Sequence, residues 1–402
     1  MYKMLRTKTS GLKEEAFKFA QELVQTPSPS GQEAKVADLV ARRMRALGYD
    51  MVLEDDSGNV MGLLHGAKEG PKVLLNSHLD TVKAGAGWNE DPFSGRILKG
   101  WLHGLGAGDC KGGLAAQVYA GALLKRSLLP LTGNLLVAAT VGEENSRSAG
   151  VRGLLAKTLD ELAMKPDYAI LGEPTNLGLY YGHDGWFEAE IVLEGSNPFM
   201  VDDAASAVYR EFGGGQQEPL EEVLVAEPRP ETVKELRRSR IGVARRLHAA
   251  EEIGAVLQQI RHNAALVTQT MGAVAVEVQV RQEQQKLYNG RSVVVQHITH
   301  AWDTNPFDPL MERARHALQA AGCEVRPGKW RLGRIGMGTA GGVLRNELQI
   351  PTIGYGPGNE ELAHAPNEAV EVERIATCIY GTAAIVHSLI GIPVFGWTSD
   401  DI

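Results

Sequence analysis

Lys72–Asp80 reads KVLLNSHLD, a short apolar run that ends abruptly in polar residues, a histidine and an aspartate among them. The same shape returns three times, in NLLVAATVGEEN at 134–145, DYAILGEPT at 167–175 and IPTIGYGPG at 350–358. Helical stretches separate the runs, such as GGLAAQVYAGALLKR at 112–126 and AGVRGLLAKTLDELA at 149–163. Short, continuously apolar strands alternating with helices predict an α/β fold whose mostly parallel sheet carries helices on both faces.

Working outward, residues 11–48 predict two helices split by TPSPSGQE. Ser30 stands three residues before Glu33, the spacing of a capping box, and Gly48 is placed to end the second helix. PLMERARHALQAAG at 309–322 predicts a further helix of the main sheet.

From Trp186 the pattern changes. FEAEIVLEG (187–195) alternates like a half-exposed strand, and AASAVYREFGGG (204–215) predicts a short helix. Residues 231–262 predict one long arginine-rich helix, with a stripe through Leu236, Val243, Leu247, Ala250, Leu257 and Ile260. AVAVEVQVRQ (273–282) and RSVVVQHITHAW (291–302) predict strands. The chain therefore divides into a discontinuous domain, 1–185 and 301–402, and an inserted α+β lid, 186–300.

The 402 residues are 44% hydrophobic and 22% charged, which excludes a disordered or fibrous chain. No apolar run is long enough to span a bilayer. The opening MYKMLRTKTSGLKEE lacks the apolar core of a secretory signal. A net charge of −8 leaves no basic footprint for nucleic acid. Three widely spaced cysteines, Cys110, Cys323 and Cys378, make no disulfide framework. Together these point to a cytoplasmic protein.

The chemistry lies where the strands end. The first ends in His78 and Asp80, the second in Glu143 and Glu144, and the third in Glu173. The fourth leads into AHAPNE with His364, and Asp109 sits in the glycine-rich GLGAGDCKGG. In open α/β sheets, ligands bind beyond the carboxyl ends of the strands, so these residues are placed to converge. Imidazoles mixed with carboxylates suit zinc, manganese or cobalt better than calcium or magnesium. One carboxylate can bridge two ions, and another beside a ligand can stay free as a general base. The His78-Leu79-Asp80 order also fits a carboxylate that orients a ligating imidazole.

NSHLDTV, GAGDCKGGLAA, VGEENSRSAG, ILGEPT and GPGNEELAHAPNE, in this order, resemble the M20 metallopeptidases. That group includes acetylornithine deacetylase, succinyl-diaminopimelate desuccinylase, aminoacylase-1 and carboxypeptidase G2. The resemblance covers about 1–185 and 305–402. It implies two divalent metal ions, zinc first, with manganese or cobalt as alternatives. His78 and Glu173 would hold one ion, Glu144 and His364 the other, and Asp109 would bridge them. Glu143 would be general base, Asp80 would orient His78, and the Asp109–Cys110 peptide would be cis. The implied reaction is hydrolysis of an amide bond in a small N-acyl amino acid, dipeptide or related carboxylate-bearing substrate.

The family's lid histidine, which stabilises the oxyanion across a dimer interface, has no counterpart. Gly195-Ser196-Asn197-Pro198-Phe199 puts Phe199 where it is expected. His262, His297 and His300 are candidate substitutes, with His183 a further one. The usual lid helix between the last two strands is reduced to QEQQKLYNGR. The chain is accordingly expected to be a monomer or a dimer built differently. GRIGMGTAGGVLRN (333–346), with Gly338 and Thr339, occupies the family's place for the substrate carboxylate, and Arg281 is a candidate contact to the same group. Gly336-x-Gly338-x-x-Gly341 spells a dinucleotide fingerprint but no clear apolar strand opens it. Cys110, with no histidine spaced to serve it, reads as a packed neighbour. Two alternatives stand beside amide hydrolysis: the same metals cleaving an aryl amine or amidine C–N bond, and a non-catalytic binding protein that keeps its metals.

Overall fold

A computed structural model describes residues 2–145, 147–215, 223–248, 251–327 and 338–392. Three helices open the chain: α1 (Tyr2–Thr9), α2 (Lys13–Val24) and α3 (Ala34–Ala46). Strands β1 (Met51–Glu54), β2 (Val60–His65) and β3 (Lys72–His78) follow, then α4 (Gly112–Ser127), β4 (Asn134–Thr140), a helical stretch over 149–161 and β5 (Tyr168–Leu171). The second part holds β6 (Gly185–Gly195), α5 (Pro198–Glu211), β7 (Leu236–Leu247), α6 (Ile253–Thr268), β8 (Ala275–Val280), β9 (Gln282–Lys286) and β10 (Ser292–Gln296). The chain returns through α7 (Pro309–Ala321), α8 (Gly341–Leu348), β11 (Thr352–Gly354) and α9 (Val372–Ile390).

The central sheet runs β1-β2-β4-β3-β5-β11. β3 is parallel to both β4 and β5, and β11 is parallel to β5, while β1 and β2 add an antiparallel edge. The continuous apolar runs follow from burial on both faces. Val73 and Leu75 of β3, with Leu135, Val137 and Ala139 of β4, enter the core under α4 and α9. Leu74, Leu136 and Ala138 point the other way, into a second core with Leu154, Trp302 and Leu344. A strand with polar water-facing positions could not serve both.

The second sheet centres on β6, which pairs antiparallel with β7 and β8. Here the alternation is one-sided. Phe187, Ala189, Ile191 and Leu193 pack with Ile241 and Val243 against α5 and α6, while Glu188, Glu190 and Glu194 sit on the opposite face.

Three expectations need correction. The long helix over 231–262 is instead a hairpin: Arg229–Val233 pairs with β7, and the helix begins only at Ile253. Its arginines belong to a strand, and two of them cross the sheet to glutamates, Arg238 to Glu194 at 2.5 Å and Arg240 to Glu190 at 2.6 Å. The local sequence carries no hairpin signal, since both turn residues, Lys234 and Glu235, adopt positive φ without glycine or asparagine. Secondly, α5 starts at Pro198 rather than at 204. Asn197 caps it by accepting from the N–H groups of Phe199 and Met200, and proline suits a first helical turn. Thirdly, the lid keeps a helix between β7 and β8. It is α6, whereas QEQQKLYNGR forms the β9–β10 hairpin.

α1 closes the main core against α9, where Tyr2 Oη lies 3.3 Å from Nδ1 of the buried His387. Burial pushes the His387 imidazole down to about 4 from 6.5. The folded protein therefore refuses a proton that the unfolded chain accepts below about pH 6.5. This contribution is whole above that pH and is lost as pH falls towards 4. It amounts to roughly 2–3 kcal/mol. Urea titrations between pH 7 and pH 4 should show a shallower decline for His387→Gln than for wild type; parallel curves would refute the assignment.

Candidate metal centre

The parallel strands deliver their carboxyl ends to one edge, and the sequence-selected residues meet there. His78 closes β3, Glu143 and Glu144 follow β4, Glu173 follows β5, and His364 lies in the loop after β11. Asp109 occupies the turn before α4, and its peptide to Cys110 is cis. Asp109 stands between the two imidazoles. Its Oδ1 is 3.1 Å from His78 Nε2 and its Oδ2 is 3.2 Å from His364 Nε2. Glu144 Oε1 lies 2.9 Å from the same His364 nitrogen. Candidate ligand atoms gather in two groups that share Asp109: one with His78, Cys110 and Glu173, the other with Glu144 and His364.

His78, Asp109, Glu144, Glu173 and His364 line a cavity of about 230 Å³, together with Glu143, Arg147, Thr299 and Gly338. A larger cavity, about 590 Å³, lies between α6 and β7. Its lining includes Val243, Val256 and Ile260 and, among the described residues, brings together no such group of ligand atoms, so size does not locate the chemistry.

Burial pushes Glu143 up to about 8 and raises Glu144 and Glu173 as well. Burial also acts to raise Asp109, but hydrogen bonds from His364 and His78 outweigh it and hold its carboxyl below the usual range. His364 is pushed up to about 11: burial opposes this, and its contacts with Asp109 and Glu144 overcome it. So dense a set of acids pulls positive charge towards itself. The N/O donor set and its electrostatics fit divalent cations of the zinc, manganese and cobalt type.

Residues behind the cavity hold it in shape. The Glu368 carboxylate accepts N–H groups from Gly106, Gly108 and Asp109 at 2.7–2.9 Å. Lys111, fully buried, donates to the Leu23 and Thr26 carbonyls at the end of α2, where a cation is favoured. Gly356 and Gly358 of the GYGPG stretch allow close approach of two ligand loops. A Cβ would fall 2.1 Å from Glu173 O at the first and 2.3 Å from Gly108 O at the second.

Asp80 acts differently from expectation. His78 Nδ1 lies 2.8 Å from the Asp80 backbone carbonyl and 3.6 Å from its carboxylate. The carboxylate instead accepts the N–H groups of Glu143 and Glu144, both at 3.0 Å, and the Ser30 hydroxyl at 2.6 Å. The capping box is thereby undone. Ser30 serves Asp80, Glu33 accepts the Gly142 N–H, and α3 begins without a side-chain cap.

The substrate-side candidates scatter. Gly338 reaches the cavity, while Thr339 is hydrogen-bonded to His183, whose Nε2 accepts its N–H at 2.9 Å. Arg281 donates to Glu188 at 2.7 Å, beside a separate cavity of about 240 Å³. His297 is buried between Glu188 and Glu283, His262 is exposed on α6, and half-buried His300 is not among the cavity's lining residues. Gly336 of the dinucleotide-like spelling, and 333–337 of its loop, lie outside the described residues. Cys110 is fully buried and pushed up to about 12 by burial, a packed thiol. Arg147 and Thr299 are lining residues that the sequence pattern does not mark. Arg147 lies inside the quoted VGEENSRSAG, but a charge at that position carried no periodic or ligand signal.

A model of peptidase family M20/M25/M40 matches residues 74–388. The protein belongs to this family, one of hydrolytic enzymes. The protein YgeY of Escherichia coli strain K12, named as uncharacterized, is 27% identical over 96% of both chains. Acetylornithine deacetylase of Proteus mirabilis is 34% identical over 45% of this chain and 48% of its own. A succinyl-diaminopimelate desuccinylase of Gluconacetobacter diazotrophicus is 32% identical over 45% and 49%. Among solved structures, the dipeptidase Dug1p of Saccharomyces cerevisiae aligns with TM-score 0.70 at 14% identity, over 97% of this chain and 98% of its own. A dinuclear metal-binding M20 peptidase of Bacillus subtilis, YxeP, aligns with TM-score 0.69 at 14% identity, over 94% and 98%. At such identities these likenesses bear on the fold.

Replacing Asp80 by alanine leaves the Glu143 and Glu144 N–H groups without their acceptor. In metal-stripped protein it should lower unfolding free energy by about 2–4 kcal/mol. Asp80→Asn, which keeps one acceptor oxygen, should fall between. A change of less than about 0.5 kcal/mol by urea denaturation would contradict the role.

Proposed function

We infer that this protein is a dinuclear metal-dependent hydrolase of small amide substrates, taking an N-acyl amino acid, a dipeptide or a related carboxylate-bearing molecule. The observation that carries the reading is Asp109, whose two oxygens face different histidines within two ligand groups, with Glu143 beside them. His78 and Glu173 would hold one ion, Glu144 and His364 the other, with Asp109 shared. Zinc is the first choice, with manganese or cobalt as alternatives.

Two divalent cations there would lower the pKa of water towards neutrality and polarise the scissile carbonyl. Glu143 takes the proton from the attacking water. Its carboxyl is held at Oε1 by the Ser148 hydroxyl at 2.8 Å; burial raises it, and two cations beside it would favour the ionised form that accepts a proton. It then delivers that proton to the leaving nitrogen as the C–N bond breaks. Residues 186–300 act as a lid over this edge, reaching it through Thr299 and Glu188. The matched relatives named as a deacetylase and a desuccinylase favour amide cleavage over an aryl amine or amidine, and over binding alone.

Glu143→Ala should reduce turnover of a panel of N-acetyl amino acids and dipeptides by about a thousandfold or more. Its metal content, by plasma mass spectrometry, should stay at about two ions per chain. Wild-type-like turnover in that variant would sink the reading, as would one ion or none in the purified, metal-supplemented wild type.

A further inference from the structure

The cavity's charge does not balance around the metals alone. Among the described residues that line it are four carboxylates, Asp109, Glu143, Glu144 and Glu173, and one guanidinium, Arg147. Two dications and neutral ligating histidines would cancel the four acids, and Arg147 would leave one positive charge over. Within that lining the guanidinium is the group to which an anion can be drawn.

The backbone aims Arg147 deliberately. Arg147 and Ser148 are consecutive non-glycine residues at positive φ, 47° and 59°, a conformation that persists only where its surroundings hold it. Ser148 turns its hydroxyl onto Glu143, and Arg147 lines the cavity. Its ion contact is long, 3.5 Å from Nη2 to Glu188 Oε1 on β6. Glu188 has nearer partners in Arg281, at 2.7 Å, and His297, at 3.4 Å. The Arg147 fork is thus lightly held by a carboxylate that does not depend on it. Arg281, by contrast, is bound to Glu188 and lies beside another cavity.

We propose that Arg147 binds the carboxylate of the substrate, making the cavity selective for amides that carry a free acid near the scissile bond, and that Glu188 competes with that acid for the same guanidinium. The proposal rests on the reading of this cavity as a hydrolytic metal site. A planar guanidinium matches a carboxylate with two parallel hydrogen bonds, which a lysine cannot reproduce.

Calorimetric titration of the zinc-loaded Glu143→Ala protein tests it without turnover. The probes are the N-acetyl derivatives of alanine, leucine, glutamate and ornithine, each with its carboxamide. At least one acid should bind about ten- to a hundredfold tighter than its amide. Adding Arg147→Ala should erase that ratio, Arg147→Lys should keep part of it, and Glu188→Gln should hold or widen it. Metal content and melting temperature confirm that each variant is folded and loaded. Equal or undetectable binding of every acid and amide pair overturns the proposal, as does a ratio that survives Arg147→Ala. Turnover of the panel by the wild type separates the two readings. Hydrolysis with an Arg147-independent ratio removes this proposal alone. An Arg147-dependent ratio without hydrolysis removes the hydrolytic reading and leaves the anion site.

Discussion

Four carboxylates crowded into one small cavity form the constraint on which the rest of this structure depends. Taking an ionised acid out of water is costly, and placing others beside it raises the cost further. Glu143, Glu144 and Glu173 respond by moving up, and Asp109 stays low only through its two imidazole contacts. No stretch of sequence shorter than the fold could assemble them. They come from loops at 78–80, 109, 143–144, 173 and 364, and adjacent parallel strands β4, β3, β5 and β11 bring those loops to one edge.

Convergence alone would leave the loops free to spread under their mutual repulsion. They are tied through their backbones. Glu368 gathers three N–H groups of the Asp109 turn, and Asp80 gathers those of Glu143 and Glu144. Each tie is a carboxylate reaching a loop remote in the chain, so it adds order without adding a metal ligand. Ser30 and Glu33 reinforce the second tie from the start of α3. The positions of the ligands are therefore decided largely by side chains outside the cavity, with glycines 356 and 358 allowing the loops to lie close enough.

The central sheet and the candidate ligands were legible because they depend on local patterns. An apolar run buried on both faces leaves an unbroken signature, as in Val73, Leu74 and Leu75, and polar residues at its end stand out. The lid was harder. Leu236, Val243 and Leu247 satisfy a helical stripe, yet Ile241 and Val243 are buried on alternate positions of a strand whose intervening arginines meet glutamates across the sheet. Cross-strand charge pairing is invisible until the partner strand is known, and a Lys-Glu turn gives no warning of a hairpin. Asp80 shows a different limit. The i, i+2 spacing brought it near His78, but its main chain meets the ring while its side chain serves the next loop, a distinction that spacing does not encode.

The same one-sided strand couples the lid to the candidate metal centre. Alternation along β6 sends Phe187 and Ala189 into the lid core and leaves Glu188 on the charged face. There it answers Arg281 and His297 and also reaches Arg147 of the loop that carries Glu143 and Glu144. The lid's charge pattern thus meets Arg147, a residue of the cavity lining, through Glu188. The loops of the candidate metal centre are held by their own backbone ties, apart from the lid's outer charges. The lid helices pack behind β6, and nothing in that packing constrains which charges its outer face presents.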